Sequence, residues 1–187
     1  MSIAKVLQHT VGEKLKEGIM LNLKETLTAC AIATLLLPVV TSAEQLAKRG
    51  SYSGVYGWYV GAGETVPVSK DHVVWGGVSS GAFRNDANSG FLHAAVVKCT
   101  FSGEWKADTG TRNGGDCVAT DRDGDQISLV WKCTDCNSGK GEFQWTNGTG
   151  KYTGIKGRST FVQTNAGPSD RPVITGFSTW KGEWELP

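Results

Sequence analysis

The sequence predicts an all-β protein, an eight-stranded antiparallel up-and-down barrel stapled by disulfides. Three observations carry that expectation. From about residue 51 onward, short runs rich in β-branched and aromatic residues alternate with Gly, Asn, Asp, Ser and Pro, and no helical periodicity appears beyond Glu44 to Arg49. Asp123-Gly124 joins Cys117-Val-Ala-Thr-Asp-Arg to Asp-Gln-Ile-Ser-Leu-Val-Trp131. A two-residue type I′ turn requires positive φ at both central residues, which Asp-Gly adopts at low cost. Finally, Asn147-Gly-Thr-Gly-Lys-Tyr-Thr-Gly-Ile-Lys-Gly157 places glycines at a turn and then inside a strand, where a missing side chain permits a sharp bend.

The first element is a leader. Leu27 to Val40 is an uncharged apolar run followed by Thr41-Ser42-Ala43. It has the length of a signal-peptide core and is shorter than the ~20 residues a bilayer span needs. Residues 1–43 are therefore expected to be an N-terminal extension and signal peptide cleaved after Ala43. Met20, which opens a conventional leader, is the expected true start. An uncleaved anchor is the alternative. Leu27-Thr-Ala-Cys30 matches a lipoprotein box, but precedes the apolar run that such a box should follow. The product would be periplasmic or secreted, with no stable membrane insertion after cleavage.

Residues 44–187 suffice for one core and are assigned to one barrel domain. Strands are expected at about 51–60, 71–83, 91–101, 115–122, 125–133, 141–146, 152–163 and 172–185. Eight antiparallel strands with short links favour closure, which removes the exposed edges that invite aggregation. A β-sandwich is the rival arrangement. The formal charge of +1, without a basic block, argues against a nucleic-acid partner.

Apart from Cys30 the chain has four cysteines, and an even number in an exported domain favours two disulfides. With the type I′ turn, Cys117 faces Val130 and residue 114 faces Cys133, so Cys117 and Cys133 point to opposite faces. Cys99, near the end of the preceding strand, can face Cys117. The expected pairs are Cys99–Cys117 and Cys133–Cys136. A structural zinc usually takes two Cys-x-x-Cys knuckles and only one is present, while a redox dithiol should open a helix, where Asn137-Ser-Gly follows. Asp121-Arg-Asp-Gly-Asp125 resembles a calcium loop, but an EF-hand needs Gly sixth and Glu twelfth, where Gln126 and Lys132 stand. No metal and no cofactor is expected.

The same register assigns Val118, Thr120, Ile127, Leu129 and Trp131 to the interior, and Cys99, Cys117, Ala119 and Val130 to the outside. Leu92, Ala94, Val96 and Lys98 would then face inward. Lys98 becomes a candidate ammonium for an anionic or carbonyl ligand. His72 is a candidate acid–base or ligand-binding group, and His93 is placed outward. Seven tryptophans either fill the barrel or line a cavity, with Trp58, Trp75 and Trp131 the candidate wall. No nucleophile elbow, His-Glu-x-x-His or phosphate loop is read in the chain.

The Gly-rich segment from Asn147 to Gly157 resembles the Gly-Gly-Thr-Gly-x-Phe-x-x-Ala-x-Gly strand of plant dirigent proteins and a Gly-Gly-Ser-Gly segment of allene oxide cyclases. The resemblance implies the eight-stranded barrel of both families; the expected up-and-down barrel is dirigent- or allene oxide cyclase-like, or lipocalin-like. The chain is also similar to small exported bacterial proteins with a Cys…Cys-x-x-Thr-x-x-Asp-Gly-Asp block, here Cys99…Cys117-Val-Ala-Thr-Asp-Arg-Asp-Gly-Asp125.

The expected function is binding of a small apolar or aromatic molecule in the barrel mouth. The alternative is a cofactor-independent cyclase, isomerase or lyase using the same cavity. Either needs a cavity of about 300 Å³ or more, with Lys98 or His72 in its wall. A homo-oligomer packed through outward residues such as Val130 and Ala119 is a third expectation.

Overall fold

The computed structural model describes residues 46–167 and 174–187. The leader, with its Met20 start and Ala43 cleavage site, lies outside the described residues. The expected helical stretch is not formed over its described part, since Leu46 to Lys48 are irregular and Arg49 already begins a strand.

Eight strands follow one another: β1 (Arg49–Ser69), β2 (His72–Asn85), β3 (Ala95–Lys106), β4 (Gly110–Thr120), β5 (Gln126–Asp135), β6 (Lys140–Gly148), β7 (Arg158–Ala166) and β8 (Thr175–Glu185). Each pairs antiparallel with the next, and β8 returns to β1 from Arg49↔Glu185 to Tyr59↔Thr175, so the barrel is closed. The expected fold class is the one observed. β1 runs well past its expected end, because Ala62 to Ser69 continue to pair with β2 after a bulge at Val60/Ala62.

Alternation along the strands sets the interior. Tyr52, Gly54, Tyr56 and Trp58 on β1, Ala95, Val97 and Cys99 on β3, and Phe143 and Trp145 on β6 are buried, while the residues that alternate with them face out. Buried aromatics shut one end. The β2–β3 connection inserts Phe91 and Leu92, and the β6–β7 connection adds Tyr152 from a 3-10 turn (Gly150–Tyr152) and Ile155. Phe91 stacks on Trp184 with centroids 4.3 Å apart and planes 4° from parallel. Below them the Tyr52 and Ser159 hydroxyls hydrogen-bond at 2.8 Å, so the one polar group of Tyr52 is satisfied where it is buried.

The central hairpin corrects the expected register. Thr120 pairs with Gln126 and Cys117 with Leu129, rather than with Val130. The turn is a three-residue loop, not a type I′ pair: the Gly124 N–H donates to the Asp121 carbonyl, the Asp121 N–H donates to the Asp125 carbonyl, and Gly124 alone has positive φ, +89°. One residue of slip reverses a strand's faces. β5 keeps Ile127, Leu129 and Trp131 inside as expected, but β4 turns Cys117 and Ala119 inward and Val118 outward. Ala119 is completely buried and offers nothing to a sister subunit, whereas Val130 stays partly exposed on the outer wall.

Cys99 and Cys117 are directly opposed on β3 and β4 and form the expected disulfide, but on the inner face. Cys133 and Cys136 form the second, at the end of β5. With Cys99 inside, Val96 and Lys98 face solvent. Leu92 and Ala94 lie in the loop before β3 with positive φ rather than in the strand. The Gly-rich segment is likewise a connection more than a curved strand: Gly150, Gly154 and Gly157 all have positive φ, and β7 begins only at Arg158.

Candidate functional site

The end of the barrel opposite the aromatic plug contains a cavity of about 250 Å³. Its floor is Tyr56, the Cys99–Cys117 disulfide, Leu129, Phe143 and Trp180. Higher up, Trp58, Trp75, Phe101, Trp131 and Phe161 form the walls. Each reaches the cavity by strand alternation, and glycines make room for the largest rings. A β-carbon at Gly103 would collide with the Trp75 indole, and one at Gly176 with the Trp58 indole. Trp131 meets Phe161 edge to face, with centroids 5.8 Å apart.

Polar groups are few and neutral: Ser79, Asn113, Gln163, Asn165 and Ser178, with the Tyr56 hydroxyl 3.9 Å from Cys99 Sγ. Among the described residues lining the cavity none carries a charge at neutral pH. Burial pushes the Tyr56 phenol up to about 12, against a smaller opposing effect of its hydrogen bond with Ser79, so it stays a neutral donor. Three polar atoms of the lining residues are buried with no hydrogen-bond partner among the described residues: Trp58 Nε1, Trp131 Nε1 and Asn113 Oδ1.

Of the candidate residues, Trp58, Trp75 and Trp131 come together in the wall. Lys98 and His72 do not. Lys98 is on the outer face. His72 also points outward, where its Nε2 lies 3.3 Å from Glu104 Oε2, beside Lys106. The cavity is thus somewhat smaller than the expected ~300 Å³ and lacks both expected basic groups. Tyr56, Ser79, Asn113 and Ser178 also line the cavity and are not among the residues the sequence points to. Their signal is alternation alone: Tyr56 lies two residues from Trp58, and Ser79 two from Gly77 and Gly81 on one face of β2.

Gly77-Val-Ser79-Ser-Gly81 does match the spacing of a hydrolase nucleophile motif. That motif needs a sharp strand-to-helix turn, whereas here it lies inside β2 and pairs continuously with β3. Among the described residues no three His, Cys, Asp or Glu side chains converge to hold a metal. The Asp121 and Asp123 carboxylates are engaged by Lys151, and Asp125 Oδ2 accepts from the Lys151 backbone N–H.

No family model matches the chain, and no curated protein matches it. Among solved structures it is similar to a pterocarpan synthase dirigent protein at 9% identity, covering 76% of this chain and 88% of that one, with a TM-score of 0.45. A likeness at this level carries no information on activity.

Proposed function

We propose that this is an exported barrel that binds a small, neutral, apolar or aromatic molecule through its open end. The observation that supports it is the cavity itself: an aromatic, uncharged pocket at one end of a barrel whose other end is packed solid. An apolar cavity of ~150 Å³ suffices for benzene, so about 250 Å³ suits a substituted single ring or a compact bicycle. Residues 1–43 would be the leader and residues 44–187 the mature domain, acting in the periplasm or outside the cell. The two disulfides support an oxidising compartment.

Toluene titration followed by tryptophan fluorescence and by thermal denaturation tests the proposal. The expected result is saturable spectral change and a rise in Tm, both abolished in Ser178→Phe, which fills the cavity. No saturable response of the folded wild-type protein up to the solubility limit of toluene overturns it. The alternative, cyclisation or isomerisation of a bound substrate without a cofactor, would have to proceed with uncharged hydrogen-bonding groups, those of Tyr56, Ser79, Asn113, Gln163, Asn165, Ser178 and the wall tryptophans.

A further inference from the structure

The unpartnered polar atoms of the cavity give its ligand a chemical head group. Trp131 on β5 is directly opposite Gly115 on β4, and Asn113 lies two residues along β4 on the same inward face. Trp131 and Asn113 are therefore diagonal neighbours, at a spacing of ~7–8 Å that long side chains span. Gly115 puts no side chain between them. On the other side of Asn113, Gly103 is its direct partner on β3 and also the partner of Trp75 on β2. The Trp75 indole lies against that bare glycine. Two glycines thus clear a strip on which Trp75, Asn113 and Trp131 face the same space, and all three line the cavity.

Two of these lining residues carry a buried polar atom without a partner among the described residues, a donor in the Trp131 indole N–H and an acceptor in Asn113 Oδ1. Buried polar groups left unpaired cost about 1–3 kcal/mol each, and a site that carries such a pair favours a ligand able to satisfy both. A carboxamide does so with adjacent atoms: its carbonyl accepts and its N–H donates, without bringing charge into an uncharged wall.

We propose that the cavity selects neutral ring compounds bearing a primary carboxamide or lactam, with the carbonyl on the Trp131 N–H, the amide N–H on Asn113 Oδ1 and the ring against Trp75. This rests on the proposed ligand-binding role of the same cavity and adds its specificity. The probes are benzamide, N,N-dimethylbenzamide, which keeps the carbonyl but has no N–H, and toluene, which has the ring alone. Affinities are measured for wild type, Trp131→Phe and Asn113→Ala.

Each lost hydrogen bond is expected to weaken benzamide about three- to tenfold. Dimethylbenzamide should bind wild type correspondingly more weakly than benzamide and be indifferent to Asn113→Ala. Toluene, which can use neither hydrogen bond, reports any change in the cavity wall itself, so the head-group effect is the loss of benzamide affinity in excess of the loss of toluene affinity in the same variant. If toluene binds while benzamide affinity is unchanged in both variants, the head-group assignment is overturned and the ligand-binding reading stands. If neither toluene nor benzamide binds the folded wild type, both are overturned.

Discussion

Asp121 does at the scale of one residue what the carboxylates of its loop first suggested a metal would do. Its Oδ1 accepts from the backbone N–H groups of Asp123 and Asp125 at 2.9 and 3.0 Å, and its Oδ2 lies 2.7 Å from the Lys151 ammonium. Burial opposes the charge on Asp121, but Lys151, Tyr152 and the Asp123 N–H outweigh it and hold the carboxyl below its usual range. A depressed folded pKa contributes stability that is present above the unfolded value near 4 and is lost as pH falls through the folded one. Lys151→Met should therefore cost about 1–3 kcal/mol at pH 7, read from urea denaturation. The deficit should shrink as pH is lowered towards 2, and an equal deficit at both pH values would count against the ion pair. The buried tyrosines act at the other extreme. Burial raises Tyr52, Tyr56 and Tyr152, with Tyr56 at about 12. The stability linked to these raised values is full below pH 10 and is lost as pH climbs through the folded ones. Denaturation between pH 9 and 12 should show this decline, with a shallower slope for Tyr56→Phe.

At the scale of the element, the Asp121–Asp125 loop determines which face of β4 is inside. Gly124 holds φ at +89° and an added β-carbon would meet nothing within 4 Å, so its substitution tests backbone conformation alone. Gly124→Ala should cost about 1–2 kcal/mol, measured by denaturation, whereas a loss below a few tenths would mean the loop relaxes to another turn. The same loop explains what was legible beforehand. Asp-Gly announces a hairpin, but it serves a two-residue turn and a three-residue loop equally well, and the two differ by one residue of register. Asp121 decides between them by capping its own loop through Oδ1, a contact that spacing does not reveal. The inner face of β5 is legible without the turn, because Ile127, Leu129 and Trp131 alternate on their own. The faces of β4, with Cys117, Ala119 and Val118, depend on the turn, so a two-residue turn reverses them, and Lys98 with them. The Cys99–Cys117 pair survived because it depends on the β3–β4 register and not on which face the pair occupies. Three tryptophans of the cavity were legible as large rings on alternating strands. Asn113 and Ser79 were not, since a small polar residue facing inward looks in sequence like one facing water.

At the scale of the whole molecule, the two ends of the barrel are unequal, and the disulfide lies between them. Cys99 and Cys117 are 18 residues apart, and closing a loop of that length restrains the unfolded chain by about 3 kcal/mol. The double variant Cys99→Ala, Cys117→Ala should be destabilised by about that amount in urea, and an unchanged midpoint would show that the closed barrel alone suffices. The unequal ends also make a prediction about charge. The plugged end is filled by Phe91, Leu92, Tyr152 and Trp184, so the proposed ligand would have to enter at the open end, and the described wall there carries no cation to receive an anion. Moving a carboxylate from water into such a wall without a partner is costly, and the acid responds by taking up a proton. Benzoic acid should therefore bind as the neutral acid. Its apparent affinity should rise as pH falls from 7 through its own pKa near 4, then level off, while toluene affinity stays constant over the same range. Fluorescence titration of both probes from pH 3.5 to 7 measures this directly. Tighter binding of benzoate at pH 7 than of the acid at pH 3.5 would show that a positive charge faces the ligand and that the cavity is not the neutral aromatic pocket described.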